Sequence, residues 1–367
     1  MIAAPSDAVL EWVRALQAYA PGRPVREIER ETGRRVIQLA SNESPLGPSP
    51  RALEAARTAL EFGNRYTQGG DKYLREALAA RHGVAFENVI LGAGSSEVIT
   101  FAARALLAPG CSGVTSASTF PLYPINIAAC GARATAVPLR GFSIDLERMA
   151  GSLPANTKII FLANPNNPTG TMFPADEFEA FLRRVPQHVL VVIDEAYAEY
   201  VERADDSRSI ELVREGRNVL LLRTFSKVYG LAGFRIGYGI GAAALLAEMN
   251  KLRALYNTSG VAEAAALAAL DDSAHVARSI DCNRKGMAQL ARGLNALAVP
   301  YVQSFGNFVL LDLGREAKPI SAELYKRGIL VPAMGFAGLP NALRVTVGIE
   351  DENAVFLNAL GEVLGAA

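Results

Sequence analysis

This chain of 367 residues has little cysteine, little histidine and no surplus of charge. Its three cysteines, Cys111, Cys130 and Cys282, lie far apart and form no Cys-x-x-Cys pair, which argues against a disulfide framework and against a zinc site. Each is expected to be a small buried apolar side chain. The three histidines, His82, His188 and His275, show no ligand spacing, so no metal is expected. Lysine and arginine together number 37, as do aspartate and glutamate. That balance, with no long basic run, removes the electrostatic footprint of a nucleic-acid binder. No window of about 18 residues is apolar throughout, as a membrane span would need. Even the alanine-rich VAEAAALAAL contains Glu263 and ends at Asp271-Asp272. The N-terminal stretch carries Asp7, Glu11 and Arg14 where a signal peptide needs an apolar core, so a cytoplasmic protein is expected.

What is present is a globular composition, 50% hydrophobic and 20% charged, with a small molecule as the default partner. From about residue 89 to 241, short β-branched runs (NVILG, GVTSA, TKIIFLA, VLVVIDEA, NVLLLRT, RIGYGI) alternate with helix-period segments. This pattern predicts an α/β fold, a mostly parallel sheet wrapped by helices. Among the helices, one is opened by Pro174 and carries Phe178, Phe181, Leu182 and Val185 on one face. Another follows Gly94 with Val98, Phe101, Ala102 and Ala105 aligned, and a third starts at Ser49-Pro50. Beyond about residue 243 come alanine-rich helices, then FGNFVLLDL, SAELYKRG, LRVTVG and a last helix, which together read as a smaller α+β domain. The expected division is an arm over 1–44 that packs on the small domain or a partner subunit, a large domain over 45–250 and a small domain over 251–367.

The stretch RTFSKVYGLAGFRIGYGIG, residues 223–241, sets Lys227 after an apolar strand, beside Ser226, with Arg235 eight residues on and glycines that let backbone approach a ligand. Hydroxyls and a guanidinium make a phosphate site. VLVVIDEAYAEY ends a strand in Asp194 and Tyr197, and TKIIFLANPNNPTG ends another in a turn holding Asn167. Strand C-termini are where open α/β sheets place ligands, and a carboxylate that close to a buried strand needs a cation or donors.

Taken together these motifs resemble the fold-type I, pyridoxal-phosphate-dependent aminotransferases, and within them the histidinol-phosphate aminotransferase group. The resemblance runs from QAYAPGRP and LASNESPLGPSP near the start to LRVTVGIEDEN near the end. It implies pyridoxal 5′-phosphate as cofactor, a small-molecule amino donor, a 2-oxo acid acceptor and a homodimer with shared active sites. Lys227 is then the Schiff-base lysine and the general base and acid. Asp194 faces the pyridine nitrogen; at about 3 Å and an effective dielectric near 20 that attraction is roughly 5 kcal/mol. Tyr197 and Asn167 bond the ring's 3′ oxygen, and Tyr123 stacks on its face. Ser95, Ser226 and Arg235 hold the phosphate, with the backbone amides following Gly94 adding a helix N-terminus, and Ser96 and Thr224 also belong to the cofactor-binding set. Tyr66 reaches the phosphate of the neighbouring subunit. Arg344 clamps the anionic end of the substrate, and Tyr19 and Asn42, with Glu43, close over it.

The chain departs from the family twice. Thr67-Gln68 follows Tyr66 where Pro-Asp is usual, and Pro332 stands in GILVPAMG where an arginine commonly helps to bind the substrate phosphate. Losing such a charge-assisted contact costs roughly 1.5 to 3 kcal/mol. The preferred substrate reading is histidinol phosphate with 2-oxoglutarate as acceptor. An aromatic amino-acid aminotransferase and a decarboxylase of a phosphorylated amino acid stand as alternatives. A nicotinamide dehydrogenase is the reading from outside the family, since NVILGAGSSEVI contains Gly92-x-Gly94, but Glu97 falls where the fingerprint needs a small residue.

Overall fold

The computed structural model describes residues 8–17, 23–67, 71–201 and 208–365. Twelve strands occur among them: β1 (Ile37–Gln38), β2 (Val89–Gly92), β3 (Ser112–Ser116), β4 (Arg133–Val137), β5 (Thr157–Ala163), β6 (Leu190–Asp194), β7 (Val219–Thr224), β8 (Gly237–Ile240), β9 (Tyr301–Val302), β10 (Phe308–Asp312), β11 (Ile329–Leu330) and β12 (Ala342–Thr346). Seven form one sheet in the order β2-β8-β7-β6-β5-β3-β4. The pairs from β7 to β4 are parallel, and β8 runs antiparallel to both of its neighbours. The sheet is covered on both faces, which explains the nearly unbroken apolar runs. Val191 and Ile193 enter one core while Leu190 and Val192 enter the other, and β7 divides in the same way.

The predicted helices form, with local differences. Ser49 caps Pro50–Leu60 by accepting from the Ala52 amide, as its sequence suggests. Pro174 lies one residue before Ala175–Arg184, whose Phe178, Phe181 and Leu182 are buried; Val185 terminates it. In Ser95–Leu106 the buried set includes Ala103, and Ala105 is exposed, because the helix lies over the sheet more broadly than one stripe. Strand β4 escapes sequence detection: at the sheet edge its residues are mostly exposed, so RATAV lacks an apolar run. The three cysteines are half-buried rather than fully inside.

A second, antiparallel sheet, β12-β10-β9, builds the C-terminal core with Ala317–Lys326, Ser273–Ala296 and Glu350–Gly365. β1 pairs in parallel with β11, and Leu39 enters that core. Helix Gly260–Leu270, which composition groups with the C-terminal region, instead buries Ala262, Ala265, Ala266 and Ala269 in the same core as Ala52 and Ala56. No helix of the described residues is long and apolar enough to cross a membrane.

Candidate active site

The C-terminal ends of β5, β6 and β7 open into a cavity of about 600 Å³, closed from the other side by residues 40–43, 334–337 and Arg344. Of the residues singled out in the sequence, Asn42, Tyr123, Asn167, Asp194, Tyr197, Thr224, Ser226, Lys227, Arg235 and Arg344 all line it, as does Glu43. The parallel register sets Ala163 against Asp194 and Asp194 against Leu222, so β5 and β6 end at one level and β7 runs two residues further, to Thr224.

Lys227 follows β7 by three residues, and its Nζ donates to the Ser41 carbonyl at 3.0 Å. Desolvation, reinforced by repulsion from Arg344, lowers this amine to about 8. Asp194, the last residue of β6, is buried and accepts from the Tyr123 hydroxyl at 2.8 Å and from the Ala196 amide at 3.1 Å. Burial outweighs those donors and pushes its carboxyl up to about 6. A buried carboxylate so placed gains most from a cation in the cavity.

At one end of the cavity, Arg235 reaches towards the start of Ser95–Leu106. Its Nη2 stands 3.4 Å from the Ala93 carbonyl and 3.5 Å from Ser96 Oγ. Gly94 caps this helix at φ +81°, and a Cβ there would overlap Arg235 Nη2. Gly237 likewise leaves room for the Ser95 amide. Thr224 Oγ1 donates to Ser226 Oγ at 3.0 Å and accepts from the Ser226 amide. Helix-start amides, hydroxyls and a guanidinium thus gather at one place, an anion site. Glu97, which spoils the dinucleotide fingerprint, braces this loop: its Oε2 accepts from the Ala93 amide and from Asn257 Nδ2, each at 2.7 Å.

The profile of the aminotransferase class I and II family matches residues 34–360. The chain belongs to that family. Histidinol-phosphate aminotransferase 1 of Thiobacillus denitrificans is 49% identical over 358 residues, covering 97% of this chain and 93% of the relative. Histidinol-phosphate aminotransferase 2 of Pseudomonas fluorescens is 44% identical over 97% of both. Among solved structures, histidinol-phosphate aminotransferase of Sinorhizobium meliloti in complex with pyridoxal-5′-phosphate superposes with a TM-score of 0.90 at 29% identity, covering 98% of each chain.

Within this aminotransferase, two sequence expectations, for Tyr123 and Asn42, meet a different geometry. The Tyr123 ring lies parallel to Phe161, with centroids 5.2 Å apart and its hydroxyl on Asp194, so it is held beneath the carboxylate. Phe120, edge-on to Tyr123 at 5.5 Å, is the aromatic ring beside it on the cavity wall. Asn42 is buried with both ends of its amide engaged by protein, and is not free for a substrate. Tyr66 is exposed and stacked on Tyr256, centroids 4.3 Å apart, outside its own chain's cavity. Tyr19 lies outside the described residues.

Sequence reading missed Phe120, Met334, Phe336 and Ala337 in the lining. Only the TFPLY spacing, with Phe120 three residues before Tyr123, carried a signal for the first. Arg344 donates to Asn167 Oδ1 at 2.6 Å and to the Ala40 carbonyl at 2.5 Å, while its Nε is buried without a partner.

Proposed function

We propose that this cavity holds pyridoxal 5′-phosphate and that the chain transfers an amino group from histidinol phosphate to 2-oxoglutarate. The observation that carries the reading is the pair Lys227 and Asp194, an amine and a buried carboxylate on the same cavity from neighbouring strand ends, with Ser226 and Arg235 also in the lining and the helix start at Gly94, Ser95 and Ser96 next to Arg235, outside the lining itself. These residues fit the cofactor: Asp194 offers a raised carboxyl to a pyridinium nitrogen, the glycine-capped helix start cradles a phosphate, and the lowered amine of Lys227 is nucleophilic near neutral pH. When bound, the ring supplies an electron sink for charge developing at the substrate Cα. Lys227 then carries the Cα proton, Tyr197 and Asn167 hold the ring's 3′ oxygen, Phe120 covers a ring face, and Arg344 binds the substrate's anionic group.

Names borne by relatives at 41% to 49% identity support histidinol phosphate as donor. One observation favours an aromatic amino acid as a second donor: among the described residues the cations lining the cavity are Lys227, Arg235 and Arg344, Met334 and Phe336 line it as well, and Pro332, whose carbonyl accepts from the Arg344 amide, is not part of the lining. The deciding experiment is a half-reaction panel on the cofactor-loaded protein, following loss of the visible band with histidinol phosphate, phenylalanine, tyrosine, histidine and glutamate in turn. Histidinol phosphate is expected to react fastest; plain aromatic amino acids reacting equally fast would overturn the substrate reading and leave the transaminase intact.

The same reading makes the exposed apolar surface of Leu60, Phe62, Tyr66, Leu255 and Tyr256 a homodimer face, from which Tyr66 serves the partner's phosphate site. Mixing Tyr66→Ala and Lys227→Ala chains then restores activity, because one site of each mixed dimer has both residues intact; a mixture as inactive as its parts rules out shared sites. The three free cysteines accord with a cytoplasmic setting. Since helix Gly260–Leu270 shares the core of Pro50–Leu60, the large domain is taken to extend through it.

A further inference from the structure

The oxygen of Tyr197 accepts two hydrogen bonds, from Asn42 Nδ2 at 3.0 Å and from Asn167 Nδ2 at 3.2 Å. A phenolic oxygen has two acceptor sites and one proton to give. With both acceptor sites filled, the proton is left to point away from the two amides. Neither amide is free to flip. Asn167 Oδ1 faces the Arg344 guanidinium, which can only donate. Asn42 Oδ1 accepts from Thr346 Oγ1 at 3.1 Å, a hydroxyl that itself accepts from the Asn42 backbone amide at 2.9 Å, so the unflipped amide gives the Thr346 proton its partner. Asn307 Nδ2 holds the Asn42 carbonyl at 3.0 Å and fixes the left-handed backbone, φ +53°, that brings the side chain round. Asp194 bonds Tyr123 and the Ala196 amide, and it acts on Tyr197 through its charge rather than through a hydrogen bond.

We infer that Asn42 and Thr346 are positioning residues that fix Tyr197 as an obligatory hydrogen-bond donor into the cavity. Thr346 lies two residues beyond Arg344 on β12, so the strand that bears the substrate clamp also sets the direction of this proton. The inference rests on the cofactor reading above, in which the acceptor is the ring's 3′ oxygen. The charged groups around the hydroxyl are Asp194 from β6, Lys227 from the segment after β7, and Arg344 from β12.

The test is the pH midpoint of the visible band of the loaded protein, in wild type, Tyr197→Phe, Asn42→Asp, Thr346→Val and Thr346→Ser. A donor on the 3′ oxygen favours its ionised form and weakens proton binding at the neighbouring nitrogen, so losing it moves the midpoint upward. Asn42→Asp turns the hydroxyl towards the new carboxylate, and Thr346→Val frees the Asn42 amide to rotate. Each is expected to raise the midpoint by about one pH unit, a tenfold change in the proton equilibrium. Thr346→Ser keeps the wild-type value. In a Tyr197→Phe background, the neutral change Thr346→Val is expected to add nothing. A Thr346→Val shift that persists without the Tyr197 hydroxyl, or wild-type midpoints in both variants while Tyr197→Phe alone shifts, overturns the inference and spares the cofactor reading. A wild-type chain that shows no borohydride-fixed band with pyridoxal phosphate overturns both. If Asn42→Asp fails to fold, the neutral pair Thr346→Val and Thr346→Ser decides alone.

Discussion

The hydroxyl of Tyr123 is bonded to Oδ2 of Asp194 at 2.8 Å, and the tyrosine ring is stacked on Phe161. The tyrosine is thereby committed to the carboxylate, and under the proposed cofactor reading the ring-stacking role falls to Phe120, which lines the cavity beside it. Replacing Phe120 by Ala is expected to weaken cofactor retention about tenfold, the order of a lost aromatic contact and its buried area. Tyr123→Phe keeps the stack on Phe161 and is expected to retain the cofactor while slowing the half-reaction. Fluorescence titration of the apo protein with pyridoxal phosphate separates the two; equal losses of affinity would return the stacking role to Tyr123.

Asp194 gives a pH dependence with a definite sign. Its folded carboxyl, at about 6, lies above the ordinary 3.8, so between those values the folded state binds more protons than the unfolded one. Stability of the cofactor-free protein therefore falls as pH rises through this window. Above pH 6 the deficit reaches about 3 kcal/mol. Asp194→Asn should make the apo protein more stable at pH 7, with the gain fading towards pH 4, and should cripple the loaded enzyme. Urea melts across this range check the sign.

Lys227 is expected to trap pyridoxal phosphate with a rate that climbs with pH and levels off above about 8, where its amine has lost its proton. Borohydride quenching followed by peptide mapping measures it. A climb continuing towards 10.5, the ordinary lysine value, would mean the amine is fully hydrated. Lys227→Ala should lose the covalent product altogether.

Beneath the site Arg223, near the end of β7, pairs with Glu195 at 2.5 Å and with Glu199 at 3.6 Å. The pair ties the ends of β6 and β7 together next to Asp194 and Lys227. Arg223→Met strands two buried carboxylates, and the loss is expected to be roughly 3 to 5 kcal/mol of folding stability. Adding Glu195→Gln should recover part of it in the same denaturant melts; additive losses would mean the two side chains do not depend on one another.

Much of this architecture is legible from local pattern. Apolar runs mark β5, β6 and β7 because both faces of those strands are covered, and Ser49-Pro50 marks its helix because capping is a local event. Strand β4 is illegible for the opposite reason: an edge strand with exposed side chains leaves no apolar trace. Helix Gly260–Leu270 looks alike whichever core receives it, since alanine fits any close helix contact.

Sequence by itself settled the chemistry on offer, a lysine, an aspartate, a tyrosine and an arginine at strand ends and glycine turns, because residue type and spacing along one strand or turn are local properties. Tertiary structure decided which of these share a cavity and in what state. It set the Tyr123 hydroxyl on Asp194 and its ring on Phe161, and it engaged both ends of the Asn42 amide, one with Tyr197 and the other with Thr346, 304 positions away. Such roles depend on hydrogen-bond partners and burial contributed by distant segments, and no window of neighbouring residues holds that information.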